Sequence, residues 1–349
     1  MKHDFDCMAT GIGSLPLTDA DEAVALALRY LPEAPIWPQL PRRGMVEAMD
    51  GQYSEALPGI AADEERQRWY FDTVRDLAPE LERFYERVIA EDLEHFAISE
   101  THAPGFHALL RALEGGVPAG VRFLKGHVTG PLTAGLMFKD ADGRDVIHDE
   151  TLFDALVKGL AMKAAWQVAR LGALGKPVIV FVDEPAMESL GSAFSAVPAS
   201  VIAEKLDEVI EAVHARGGLA GIHCCGNADW PMIFGTKVDI VNFDAFGYLD
   251  RVLLYPAEIR AFLERGGSLA WGIVPTAAFT GEETASGLVE RLEAGVARLA
   301  ATTGLERAAI LRSSIVTPSC GMGSLTPAAA EAILGLTLAV SEGMRARMK

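Results

Sequence analysis

Eight short apolar runs, each closed by glycine, proline or a polar residue, constrain this 349-residue chain more than any other feature. They are Thr10–Pro16, Ala34–Pro41, Phe123–Pro131, Pro177–Pro185, Leu219–Gly226, Val238–Phe246, Ser268–Thr276 and Ser314–Gly321. Helical sequence lies over about 149–174, 199–216, 282–302 and 327–345. Near-continuous apolar runs of this length read as strands buried on both faces, as in parallel sheets covered by helices. Eight of them alternating with helices predict a (β/α)8 barrel. A doubly wound open sheet is the alternative, because counting elements does not fix closure. From Ala61 to about Leu113 the periodicity is helical, with many acidic and aromatic residues. This reads as a helical insertion between strands two and three of a single domain spanning 1–349.

Composition narrows the function. The formal net charge of −17 argues against nucleic acid or an anionic membrane surface as partner. No apolar run is long enough to span a bilayer. Met1–Asp6 has no signal-peptide character. Four cysteines are too few for a disulfide scaffold in a chain of this size. The expected compartment is therefore the cytoplasm, where thiols near a histidine read as metal ligands or catalysts.

A barrel carries its active site at the carboxyl ends of its strands. Polar residues gather there: Ser14, Gln39, Thr129, Asp183, Glu184, His223, Cys225, Asp244, Thr276 and Cys320. Along a strand side chains alternate faces, so His223 and Cys225 point the same way and Cys224 the other. An imidazole and a thiolate on one face make half of a zinc site. Cys320, closing another apolar run, is the obvious third donor.

Five pieces of the chain, taken in order, resemble the catalytic C-terminal barrel of cobalamin-independent methionine synthase. They are Ile12-Gly13-Ser14-Leu15-Pro16, Val128-Thr129-Gly130-Pro131, Val182-Asp183-Glu184-Pro185-Ala186, His223-x-Cys225 and Ser319-Cys320-Gly321. The superfamily also holds uroporphyrinogen decarboxylase and corrinoid-linked methyltransferases. The resemblance covers nearly the whole chain and implies a zinc-dependent methyltransferase acting on a thiol. The family's zinc ligands are a histidine, two cysteines and a carboxylate. These map to His223, Cys225, Cys320 and, as a shorter counterpart of the family's glutamate, Asp244. The substrate-binding residues map to Gly13 and Ser14, to Asp183 for the substrate ammonium, and to Gln39 where the family has glutamate. Glu184 stands beside Asp183 as a further substrate or proton-handling group. Asp183 and His127 are the candidate catalytic side chains. A neutral amide pairs more weakly with an ammonium than a carboxylate does, so the implied acceptor is homocysteine or a similar small thiol. The folate-dependent enzymes carry an additional N-terminal barrel, so the implied donor is a methyl-corrinoid protein or methyltetrahydrofolate. A thiol with pKa ~8.5 is mostly protonated at neutral pH, and zinc coordination ionises it. Three other readings compete: methylation of another thiol, a metal-free uroporphyrinogen decarboxylase-like enzyme, and a non-catalytic metal-binding barrel.

Overall fold

The computed structural model describes residues 3–190 and 197–348; Met1 and Lys2 of the N-terminal stretch read above lie outside them. The described residues form ten strands. They are β1 (Met8–Ala9), β2 (Ile60–Asp63), β3 (Arg68–Phe71), β4 (Leu124–Thr129), β5 (Lys139–Asp140), β6 (Val178–Asp183), β7 (Leu219–Cys224), β8 (Ile240–Phe243), β9 (Ser268–Val274) and β10 (Ser314–Pro318). Seven make one curled, wholly parallel sheet in the order β1-β10-β9-β8-β7-β6-β4. Helices cover its outer face, so the architecture is α/β, as the alternation of runs predicts.

The second apolar run, 34–41, behaves differently from the strand expected of it. Pro35, Pro38 and Pro41 remove amide donors, so a continuous ladder cannot form. The segment instead makes isolated parallel bridges, Thr10↔Ala34 and Ser14↔Gln39 on one side and Ile36↔Lys125 on the other. Two of the donors that remain cross to the neighbouring segments. Trp37 N donates to Lys125 O at 3.2 Å and Gln39 N to Gly13 O at 3.1 Å. The segment thus lies between β1 and β4, the two edges of the sheet. The first run is also displaced: regular pairing ends near Thr10, and 11–16 forms a turn beyond the strand.

The segment 61–113 is not helical throughout. β2 and β3 form an antiparallel hairpin that β5 extends. Helices follow only at Ala78–Ile89 and Pro104–Leu113. The aromatic run Arg68-Trp69-Tyr70-Phe71 suits a pleated surface, and the charged residues 63–67 supply its turn.

The long helices start where their caps dictate. Asp149 accepts from Thr151 N and Leu152 N to open Glu150–Gly172. Thr284 opens Ala285–Thr303, which Gly304 ends in the left-handed region at φ 71°. Thr326 and Pro327 open Pro327–Ala346. Among the described residues no helix is long and apolar enough to cross a membrane.

Inside the curl, alternation sorts the strand residues into layers. At the amino ends a small apolar cluster, including Met8, Ile179, Phe181, Ile240, Ala270 and Ile315, fills the interior. A fully buried side chain of Phe181's size contributes about 2–3 kcal/mol. Two residues further along the same faces stand Asp183, Asn242 and Thr317, joined by His223 from β7. The interior thus changes from apolar to polar toward the carboxyl ends.

Candidate metal centre and its cleft

His223 occupies the penultimate position of β7, in register with Asp183 on one side and Asn242 on the other. Cys225 follows the strand end, and Cys320 follows the end of β10. One ligand atom from each of His223, Cys225 and Cys320 lies within 4.8 Å of the others. Cys224 points the other way and is buried in the main core, as alternation requires. His223 is 2% exposed, whereas Cys225 and Cys320 are half-buried and reachable.

The three side chains polarise one another. Cys225 is lowered to about 4, first by the hydrogen bond from Cys320, against burial, with His223 adding to the effect. Cys320, the donor, is raised correspondingly. Burial opposes a charged His223, but its bond to Cys225 and the charge of Asp183 outweigh this and raise it. A pair sharing one thiolate beside an imidazole is a donor set that fits a borderline-soft cation such as zinc.

The structure adds Asn242 to the residues that the sequence singles out. Its Oδ1 contacts His223 Nδ1, and its Nδ2 donates to Ala270 O at 2.9 Å and Thr317 Oγ1 at 2.8 Å. The available signal was its place two residues before Asp244, on the same strand face. Asp244 itself does not join the three donors. Its Oδ1 accepts from Gly247 N at 2.7 Å, closing the loop after β8. Its carboxyl stem is one methylene shorter than glutamate's, and the nearest backbone amide captures it.

The donors open on a cleft of about 410 Å³, whose lining also includes Ser14, Gln39 and Asp183. Asp183 is 9% exposed, and its Oδ1 is buried with no protein partner. Burial pushes its carboxyl up to about 6, against the charges of His223 and Lys125. Gln39 donates from Nε2 to Glu47 O at 3.0 Å. Ser14 Oγ accepts from Gly323 N at 3.1 Å, and Ser14 O accepts from Met322 N at 3.0 Å. These bonds fasten the Gly13-Ser14 turn to the loop that carries Cys320. A Cβ on Gly321 would meet Ser14 Oγ at 2.3 Å, so the close approach requires glycine there. Arg42 stands at the rim, donating to Leu325 O at 2.7 Å.

Two expected site residues sit elsewhere. Glu184 turns away from the cleft onto the helix Pro131–Met137. It accepts from Leu132 N at 2.9 Å, Thr133 N at 2.8 Å and Thr133 Oγ1 at 2.6 Å. A Cβ on Gly130 would lie 2.2 Å from Glu184 Cδ. The Thr-Gly-Pro and Asp-Glu-Pro pieces therefore interlock as architecture. His127 lies beneath the cleft, not on it. Its ring stacks on Trp37 at 3.9 Å, and a Cβ on Gly13 would come within 2.9 Å of it. Burial, reinforced by Lys125, depresses its pKa well below the ordinary value and keeps it neutral.

No family model matches the chain, and no curated protein matches it. Solved structures do. A B12-independent methionine synthase from Shewanella sp. W3-18-1, in complex with selenomethionine, is 15% identical, with TM-score 0.58 over 98% of both chains. A putative vitamin-B12 independent methionine synthase from Listeria monocytogenes is 13% identical, with TM-score 0.58 and coverage of 98% on both sides. This chain has their fold. At these identities the likeness concerns the fold, and the chemistry rests on the side chains described above.

Proposed function

We propose that this chain is a closed (β/α)8 barrel acting as a zinc-dependent methyltransferase, which moves a methyl group onto the thiol of homocysteine to give methionine. Closure is supported by the segment 34–39, which bridges both edges of the seven-stranded sheet. The observation that carries the activity is the His223, Cys225 and Cys320 donor set, opening on a cleft beside an unpartnered Asp183 oxygen. His223, Cys225 and Cys320 would hold the ion. What zinc supplies when bound is the Lewis acidity that keeps an acceptor thiol ionised at neutral pH.

The chain's own residues supply recognition and orientation. Asp183 accepts the ammonium of an amino-acid thiol through its free Oδ1. Gln39 has its Nε2 committed to Glu47 O, which leaves Oε1 as a second acceptor for that ammonium. Ser14, fixed by Gly323 N, holds the opposite wall. In the transfer the thiol proton departs, the sulfur–carbon bond forms, the donor's nitrogen–methyl bond breaks with its electron pair left on that nitrogen, and the departing nitrogen takes up a proton. Holding acceptor and donor in line supplies much of the acceleration. The selenomethionine bound to the Shewanella protein is an amino acid with a methylated chalcogen, the shape of the product proposed here. Both related structures are described as B12-independent, so a methyl-corrinoid donor gains no support and methyltetrahydrofolate is the donor we propose. Gln39 favours a second reading, in which a related small thiol is the acceptor, because a neutral amide holds an ammonium less tightly than a carboxylate.

The test uses purified, metal-analysed protein with homocysteine and methyltetrahydrofolate. Methionine formed by the native chain and lost in Cys320→Ser supports the reading. Stoichiometric zinc without methionine, but with methylation of another small thiol, replaces homocysteine by that thiol.

A further inference from the structure

We infer that Asn242 is the positioning residue that fixes which nitrogen of His223 faces the metal. The inference rests on the metal-centre reading above. Asn242 is fully buried on β8, in register with His223. Its amide nitrogen is committed twice, to Ala270 O and to Thr317 Oγ1. Rotating the amide by half a turn would set its oxygen against the Ala270 carbonyl, two acceptors facing each other. The amide therefore has one orientation, with Oδ1 toward His223. An oxygen there can only accept, so His223 Nδ1 carries the proton. Nε2 is then the nitrogen that would offer its lone pair to a metal held with Cys225 and Cys320. The same bond stops the imidazole rotating about its χ2 axis. Three adjacent strands, β8, β9 and β10, thereby contribute to the orientation of one ligand on β7. A carboxamide held this way behaves as the carboxylate or carbonyl partner that metal-bound histidines usually have.

Its removal should weaken metal binding without unfolding the chain. The experiment measures zinc affinity by chelator competition, the visible spectrum of the cobalt-substituted protein, and the thermal midpoint. Asn242→Ala is expected to lower zinc affinity about 10–100-fold and to shift the cobalt bands. Asn242→Asp, which keeps an acceptor oxygen facing His223, is expected to recover most of the lost zinc affinity, while its second oxygen, set against Ala270 O, lowers the thermal midpoint. Thr317→Val removes one anchor of the amide and is expected to cost about threefold, below the 10–100-fold expected when the partner itself is removed. Native-like zinc affinity and cobalt spectrum in Asn242→Ala would overturn the inference. So would equal losses in the Ala and Asp variants that follow their thermal midpoints. A native chain that binds no zinc would overturn the metal-centre reading itself, which is a distinct outcome.

Discussion

Asp183 and Glu184 are consecutive carboxylates at the end of one strand, both buried, yet they serve opposite ends. Glu184 receives three hydrogen bonds at the start of a helix, with both oxygens engaged there and away from the cleft. Asp183 keeps one oxygen without a partner, beside His223 and the two cysteines. The region around Glu184 is saturated, and the region around Asp183 is unsaturated. Buried polar atoms without partners are costly. One such atom, Asp183 Oδ1, belongs to the cleft, where a ligand can supply the missing partner.

Substitutions can break this contrast or sharpen it. The largest effect is expected at the thiolates. Cys225→Ser should lower zinc affinity by more than about a hundredfold, beyond the range for residues that only support a ligand. Chelator competition measures it, and native-like affinity would remove Cys225 from the donor set. Next comes Asp183→Asn, which should weaken an amino-acid ligand such as methionine about 10–100-fold, by loss of a charge-assisted bond. Calorimetry reads this, while zinc content and thermal midpoint stay unchanged. The pH dependence has a definite sign. Burial raises Asp183 to about 6 in the metal-free protein, so affinity is flat above that pH. Below it the carboxylate protonates, and affinity falls about tenfold per unit. The Asn variant should be flat throughout.

Glu184→Ala should show the opposite profile. Three donors lose their acceptor, for a destabilisation of about 3 kcal/mol, while zinc affinity and turnover per folded molecule hold. Denaturant unfolding measures the first and chelator competition the second. The smallest effect is expected at Asp244, whose carboxylate is engaged by Gly247 N. Asp244→Ala should change zinc affinity less than about threefold, well short of the loss that follows a removed metal contact. A loss of a hundredfold would show that this carboxylate swings onto the ion.

The sequence made the strand faces legible and the reach of side chains much less so. Alternation alone paired His223 with Cys225 and separated Cys224, because a strand's period is fixed by backbone geometry. It also put Asp244 on the right face, yet could not tell that Gly247 would take its carboxylate. Asp183 and Glu184 looked equivalent in sequence, since only the packing of Gly130 against Glu184 distinguishes them. Asn242 was illegible for a similar reason: its partners Ala270 and Thr317 are remote in the chain. The second strand lies where its apolar run places it but differs in form, because three prolines leave it bridges and no ladder. The hairpin at β2 and β3 was hidden by charged residues that resemble a solvated helix face.

The most direct measurement is X-ray absorption at the zinc edge of the loaded protein, before and after homocysteine is added. The account predicts one nitrogen and two sulfurs from the chain at first, with a third sulfur neighbour appearing on addition. An unchanged sulfur count, at homocysteine concentrations that support methylation, would contradict it.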